Sequence, residues 1–138
     1  MADEFVLMRR VQFAETDMAG VMHFSNYFRW MEEIEHAWMR GLGMSVVQPH
    51  AADTVSWPRV TVSCEYDAPA RFEDEIEMRL LVTDLTEKSM TYEVTFWRDA
   101  SRIARGRTKA VCCKMEQGQF TSIPIPPSIR KLLGTALQ

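Results

Sequence analysis

The hydrophobic repeat of this chain changes once, from a helical period to a strand period, and that change limits the possible folds more than any other feature. Around residues 24–40, the apolar side chains Tyr27, Met31, Ile34 and Trp38 recur at helical spacing, which predicts one long amphipathic helix. From about residue 54 the apolar residues alternate with polar ones, which predicts strands. A single long helix followed by strands indicates an α+β fold with an antiparallel sheet.

One strand precedes the predicted helix and four follow it. The strands are expected at about residues 5–14, 60–66, 76–82, 90–96 and 102–116, with a loop over residues 44–53 and a short helix over Ser128–Leu133. The connections between the later strands are short, so they are predicted to form an antiparallel meander. Because one helix cannot cover both faces of five strands, we expect a dimer whose sheet continues across the interface.

Length, charge and cysteine usage narrow the class of protein. A chain of 138 residues, 46% hydrophobic and 25% charged, predicts a single domain over residues 1–138 with a substantial core. The net charge of −3 argues against a nucleic-acid partner. No run of apolar residues is long enough for a membrane span, and the acidic N-terminus lacks the layout of a signal peptide. Cys64, Cys112 and Cys113 fit no metal or redox spacing, so we expect reduced core thiols in a cytoplasmic protein.

The segment from Val11 to Tyr27 carries the candidate chemistry. Asp17 is expected on a tight, Gly20-containing turn between the first strand and the start of the helix. Free backbone N–H groups at a helix N-terminus can stabilise a carbonyl oxygen that gains negative charge. A nearby carboxylate can attack that carbonyl carbon or deprotonate a water that does so. These two features together predict acyl transfer.

This segment resembles the 4-hydroxybenzoyl-CoA thioesterase-like branch of the hotdog-fold thioesterases. The matching residues are Phe13, Thr16-Asp17, Gly20-Val21, Ser25-Asn26-Tyr27 and Glu32. The resemblance implies an acyl-CoA thioesterase whose curved, five-stranded antiparallel sheet wraps round the long helix. It also implies a homodimer with a continuous sheet, or a homotetramer of two such dimers, with active sites at the dimer interface.

The resemblance also implies roles for individual residues. Asp17 would be the nucleophile or general base, and a backbone N–H near Phe24 would polarise the thioester carbonyl. His23 is a candidate hydrogen-bonding group in catalysis, although some relatives carry their histidine one position later. No metal or other cofactor is implied, because coenzyme A belongs to the substrate. The substrate is expected to contact Val21, Tyr27, Ser89 and Met90.

Other interpretations stay open for these residues and their neighbours. Asp17 could be a turn-forming residue whose side chain bonds its own backbone, and His23 could cap the helix. Glu32, Glu33 and Glu35 are interpreted as a solvated helix face. A helix-borne carboxylate is catalytic in another hotdog subgroup, which makes Glu32 the rival to Asp17.

Four cationic residues are candidates for binding the phosphates of coenzyme A. Arg105, Arg107 and Lys109 alternate with other residues and so share one strand face, and Arg59 follows Trp57-Pro58 as a weaker candidate. A solvated strand face explains the three alternating cations equally well.

Three other functions remain as alternatives to acyl-CoA hydrolysis. A hotdog hydratase is disfavoured because His23 lies six residues after Asp17, where those enzymes have five and an Asn-Pro pair between. A thioesterase for acyl carrier protein would use the basic strip as its docking patch. A non-catalytic module that binds acyl-CoA would leave Asp17 unexplained. The acyl group itself, aromatic or aliphatic, is left open by the sequence.

Overall fold

The computed structural model describes residues 3–44 and 55–137. Its elements in chain order are β1 (Phe5–Arg10), a 3₁₀ turn (Phe13–Glu15), α1 (Ser25–Gly41), β2 (Arg59–Tyr66), β3 (Glu75–Leu85), β4 (Ser89–Arg98), β5 (Ser101–Val111), β6 (Cys113–Glu116), β7 (Gln119–Ser122) and α2 (Pro127–Gly134). The predicted α+β class, long helix, five-stranded sheet and terminal helix are confirmed. Apart from Met44, the predicted loop over residues 44–53 lies outside the described residues.

The main sheet is fully antiparallel, with the strand order β1-β3-β4-β5-β2. The predicted meander is therefore correct for β3, β4 and β5 but wrong for β2, which pairs with β5 at the edge opposite β1. Residues 67–74 carry the chain back from that edge to β3, across three strand spacings or about 14 Å. Alternating hydrophobicity predicts that a segment is a strand but does not select its neighbour, which is why the sequence missed this crossover.

Two predicted strands end earlier than expected. The first strand ends at Arg10, after which the Val11 N–H bonds to Asp74 O at 2.9 Å and the chain enters the 3₁₀ turn. The last predicted strand, over residues 102–116, splits after Val111 into β5 and a separate β6–β7 hairpin. The hairpin turn has positive φ at both Gln117 and Gly118, as two-residue hairpin turns commonly require.

The core lies between α1 and one face of the sheet. The strand period of two is confirmed in β3 and β4, where alternate side chains are fully buried: Ile76, Met78, Leu80, Val82, Met90, Tyr92, Val94 and Phe96. The face of α1 that packs on them consists of Tyr27, Trp30, Met31, Ile34, Trp38 and Met39. Each large apolar side chain buried in this way contributes about 1.5–3 kcal/mol, so the sheet holds α1 firmly in place.

Gly106 of β5 allows α1 to pack directly against the sheet. A Cβ atom at this position would lie 2.7 Å from the Met31 Cε and closer still to its Sδ, whereas real Cβ atoms almost never come within 3.0 Å of another heavy atom. The glycine is buried and pairs with Cys64 on one side and Val94 on the other.

The ends of α1 lie within one residue of the predicted range of 24–40. Its N-cap is Phe24, whose side chain makes no capping hydrogen bond, and Ser25 is the first helical residue. Beyond its C-terminus, Gly43 has φ of 79°, the left-handed conformation that ends many helices. None of the described helices is long and apolar enough to cross a membrane.

Candidate active site

Asp17 lies on an exposed turn between the 3₁₀ turn and α1. The turn is closed by hydrogen bonds from the Asp17 N–H to Val21 O (2.9 Å) and from the Gly20 N–H to Asp17 O (3.0 Å), and Gly20 has φ of 79°. The Ala19 N–H donates to Asp17 Oδ1 at 2.9 Å, so the side chain does bond its own backbone. Among the described residues, Oδ2 accepts no hydrogen bond. The turn-forming role therefore orients the carboxylate and leaves one oxygen available for chemistry.

Two depressions meet at Asp17. The first has a volume of about 330 Å³ and lies between the start of α1 and the end of β2; besides Asp17 it is lined by Val21, Met22, Phe24, Tyr27, Tyr66, Asp67, Ala68 and Pro69. We call it the aromatic pocket. The second, of about 460 Å³, is lined by Asp17 with Phe13, Thr16, Met18, Gly20 and Phe72. Asp17 thus lines both depressions, and the predicted site residues Val21, Phe24 and Tyr27 line the first one with it.

Three aromatic residues line the aromatic pocket: Phe24, Tyr27 and Tyr66. The ring of Tyr27 meets those of Tyr66 and Phe96 edge to face, at centroid distances of 4.9 and 5.2 Å. Burial raises the pKa of both Tyr27 and Tyr66, so their phenols stay protonated near neutral pH. The Tyr66 hydroxyl donates a hydrogen bond to Phe24 O at 3.1 Å, which ties the end of β2 to the start of α1.

The backbone N–H of Phe24 is the predicted oxyanion donor. Phe24 lines the aromatic pocket and is the N-cap of α1. Within the part of the chain that the structure describes, this N–H donates no hydrogen bond, while the neighbouring N–H groups of His23, Ser25 and Asn26 all do. An unpaired N–H at the positive end of a helix of 17 residues suits an oxyanion.

His23 caps the start of α1. Its Nδ1 accepts hydrogen bonds from the Ser25 hydroxyl (2.8 Å) and the Ser25 N–H (3.3 Å), and its ring stacks on Phe24. A backbone N–H can only donate, so this geometry requires Nδ1 to act as the acceptor. His23 lines neither depression. Its place fits the capping interpretation, and a catalytic part for it stays a prediction.

Ser89 and Met90 lie at the other end of the sheet from Asp17. Both are buried at the start of β4, where the Ser89 hydroxyl bonds that of Thr86 at 2.5 Å. Tyr27 instead contacts Phe96, six residues further along β4, or about 20 Å away. Within one chain, therefore, the structure does not bring Ser89 and Met90 to the aromatic pocket.

The four candidate phosphate ligands occupy two places. Arg105 and Arg107 lie on the sheet face away from α1 and pair with the exposed or half-buried Glu65 and Glu93, both at 3.3 Å. Lys109 is exposed on the same face. Arg59 stands apart, because its guanidinium pairs with Glu35 and donates to Trp57 O at 2.8 Å.

The prediction that the helix carboxylates form a solvated face is wrong for Glu35. It is fully buried, and its Oε1 accepts hydrogen bonds from Arg59 and from the Tyr92 hydroxyl (3.2 Å). Its Oε2 has no partner among the described residues, and burial raises the pKa of the carboxyl despite the nearby Arg59. Glu35 follows Tyr27 by eight positions, or about 12 Å along the helix, away from the Asp17 turn.

Glu32 and Glu33 are exposed, as predicted, and line neither depression. The sequence did not single out Tyr66 or Asp67 as pocket residues. Both join the site from the far end of β2, and no local pattern near Asp17 could have indicated them. Within residues 3–44 and 55–137, no three His, Cys, Asp or Glu side chains are arranged to hold a metal ion.

A five-stranded antiparallel sheet packed on one long helix is the arrangement of the hotdog-fold thioesterases. Comparison with known families agrees: the model of the Thioesterase-like superfamily matches residues 11–133, nearly the whole chain. The chain belongs to this superfamily.

Relatives that are named as CoA-thioester hydrolases resemble the chain over most of its length. The 1,4-dihydroxy-2-naphthoyl-CoA hydrolase of Synechocystis sp. is 26% identical over 124 residues, covering 88% of this chain and 90% of its own. The enzyme of the same name from a Synechococcus species is 28% identical over 127 residues, covering 87% and 84%. Among solved structures, a gentisyl-coenzyme A thioesterase superposes with a TM-score of 0.80 at 30% identity, covering 93% of this chain and 98% of that one.

Proposed function

We propose that this chain hydrolyses an aryl-CoA thioester to the free acid and coenzyme A, with Asp17 as its catalytic carboxylate. The observation that carries the proposal is that two residues line the same aromatic pocket: Asp17, whose Oδ2 accepts no hydrogen bond among the described residues, and Phe24, whose N–H donates none. Acyl transfer needs a group that attacks or activates water and a donor that receives the developing oxyanion.

The reaction begins when the thioester carbonyl oxygen accepts a hydrogen bond from the Phe24 N–H. The Asp17 carboxylate then adds to the carbonyl carbon, or it takes a proton from a water that adds. The tetrahedral intermediate collapses by breaking the C–S bond, and the departing thiolate of coenzyme A takes a proton from the Asp17 carboxyl if Asp17 acted as the base, or from solvent water if it was the nucleophile. If Asp17 was the nucleophile, water then cleaves the acyl-aspartate anhydride. Both routes use the same carboxylate in nearly the same place.

Two observations support an aryl acyl group. Its volume of about 330 Å³ lies at the lower end of the usual range for small-molecule sites, and the rings of Tyr27 and Tyr66 favour edge-to-face contact with a further ring. The relatives named above act, by their names, on dihydroxynaphthoyl and gentisyl thioesters, both of them aromatic.

We further propose that the active unit is a homodimer joined along β2. This strand is an edge of the sheet, and its Val60 and Val62 are 56% and 43% exposed. Pairing two copies antiparallel along this edge would set the Tyr66 end of one β2 beside the Arg59 end of the other. The start of β4, with Ser89 and Met90, would then approach the aromatic pocket across the interface. A homotetramer would consist of two such dimers. The cytoplasmic location of the protein remains a prediction.

Sedimentation of the wild type against Val62→Lys tests the dimer. A charge at the centre of the edge is expected to shift the protein towards monomer and to lower its activity. A wild type that sediments as a monomer and is fully active would contradict the shared site.

Thiol release across a panel of aryl and alkyl acyl-CoAs tests the function. We expect turnover, with aryl thioesters giving the highest kcat/KM. Activity only on acyl carrier protein thioesters would favour the carrier-protein alternative. Tight binding of acyl-CoA without any turnover would favour the binding module.

A further inference from the structure

We propose that Glu15 is a positioning residue. It holds the turn that carries Asp17 in a fixed position relative to the N-terminus of α1. The inference rests on the proposed function, because it concerns the geometry of the same site. Glu15 itself lines neither depression at Asp17, so it acts only through other residues.

The Glu15 carboxylate gathers three N–H donors from three parts of the chain. Its Oε1 accepts the Gln12 N–H at 2.9 Å. Its Oε2 accepts both the Trp30 indole N–H at 2.7 Å and the Arg9 guanidinium at 2.9 Å. The side chain is only 16% exposed, and the Arg9 guanidinium also stacks on the Trp30 ring. One carboxylate therefore connects β1, the 3₁₀ turn and α1.

The backbone carbonyl of Glu15 makes the second set of contacts. It accepts the His23 N–H at 2.9 Å and the Asn26 side-chain amide at 2.8 Å. His23 and Asn26 flank Phe24, whose N–H is the proposed oxyanion donor. Asp17 follows Glu15 by two residues. Glu15 is thus hydrogen-bonded to the start of α1 and lies two residues before Asp17 in the chain.

Both carboxylate oxygens of Glu15 are needed as acceptors, because every partner of the carboxylate is a hydrogen-bond donor. A glutamine would offer one oxygen and an NH₂ group, which would face either the Gln12 N–H or the Trp30 and Arg9 donors. The half-buried donors on that side would lose their acceptor, and the turn would shift to relieve the contact. A displacement of about 1 Å at a catalytic group can lower the rate about 100-fold.

Glu33→Gln is a matched control for Glu15→Gln. Glu33 also pairs with Arg9, but its side chain is 50% exposed on α1. Both variants remove one carboxylate from Arg9, but only Glu15 also accepts the Gln12 and Trp30 N–H groups and lies in the 3₁₀ turn that leads to Asp17. The comparison therefore separates the loss of an ion pair from the loss of positioning.

The test measures kcat and KM separately, on the best acyl-CoA substrate, for wild type, Glu15→Gln, Glu33→Gln and Asp17→Asn. The assays are run well below the unfolding temperature of each variant. For Glu15→Gln we expect kcat to fall about 10- to 100-fold, with KM changed by less than about threefold. Glu33→Gln should stay within about twofold of wild type. Equal kcat in the two glutamine variants, while Asp17→Asn is inactive, would overturn the role of Glu15 and leave the proposed function intact.

Hydrogen exchange of the peptide covering residues 16–24 gives a readout that does not depend on activity. We expect faster exchange there in Glu15→Gln and unchanged exchange in Glu33→Gln. If the wild type hydrolyses no thioester, the proposed function fails, and the exchange result alone decides whether Glu15 holds the turn. If Glu15→Gln does not fold, Asn26→Ala replaces it, because that change removes only the contact to the Glu15 carbonyl. Unchanged exchange and kcat in Asn26→Ala would then overturn the proposal.

Discussion

Gly106→Ala is expected to destabilise the protein, because the added methyl group collides with Met31 of α1. The new Cβ would lie 2.7 Å from the Met31 Cε, at a position where Met31 is only 1% exposed. Met31 must therefore change rotamer inside a close-packed core, or α1 must move away from the sheet.

The size of the effect is the balance of two terms. Overpacking a core in this way costs about 1–3 kcal/mol. Replacing glycine with alanine raises the free energy of unfolding by about 0.4–1 kcal/mol, because alanine restricts the conformations of the unfolded chain. We expect a net loss of about 1–2 kcal/mol in the free energy of unfolding. Met31→Ala alone should cost about 2–5 kcal/mol by leaving a cavity. Because the new methyl would partly fill that cavity, the double variant should lose clearly less than the sum.

Urea unfolding at one fixed protein concentration measures these values, since a dimer makes apparent stability depend on concentration. Gly134→Ala in α2 is the matched control, because a Cβ there meets nothing within 4 Å and should leave the protein as stable or slightly more so. A Gly106→Ala protein as stable as Gly134→Ala, or strictly additive losses in the double variant, would refute the close packing of α1 on β5.

Two further predictions follow from the hydrogen bonds around the helix. Tyr66→Phe removes the hydroxyl that donates to Phe24 O but keeps the ring against Tyr27, so the fold should be retained. Because such a hydrogen bond is worth about 0.5–1.5 kcal/mol, kcat should fall about two- to tenfold. An unchanged kcat would show that this hydrogen bond does not position Phe24. Glu35→Gln should reduce the pH dependence of stability. Burial raises the folded pKa of Glu35 above its ordinary value of 4.5, so the wild type loses unfolding free energy as pH rises from that value through the folded pKa, and the variant lacks this component. Urea titrations at pH 4.5 and 7.5 measure the difference between the two proteins, and equal slopes would contradict the raised pKa.

The elements of this fold were predictable from the sequence because each depends on a local period. The stripe from Tyr27 to Trp38 gave α1 to within a residue at each end, and alternation gave β3 and β4. The Asp17 turn was predictable for a similar reason, since carboxylate, glycine and helix start lie within a few residues of one another.

What the sequence could not predict depends on contacts between distant segments. The place of β2 beside β5 depends on a crossover through residues 67–74, which alternation does not encode. Glu35 sits beside Ile34 at the border of the apolar stripe, and only the positions of Arg59 and Tyr92 make its burial possible. Tyr66 becomes a pocket residue because the end of β2 reaches the start of α1. Each of these errors or omissions concerns a tertiary neighbour and not a local conformation.

The most direct test of catalysis by Asp17 is thiol release from the best aryl-CoA substrate by wild type and Asp17→Asn. Asparagine keeps the size of the side chain and can still accept the Ala19 N–H, so the turn should survive while the charge is lost. We predict a fall in kcat of at least about 100-fold, with Glu32→Gln, at the exposed helix carboxylate, close to wild type. An Asp17→Asn protein as active as wild type would contradict the assignment, and a silent Glu32→Gln beside it would move the chemistry to the helix.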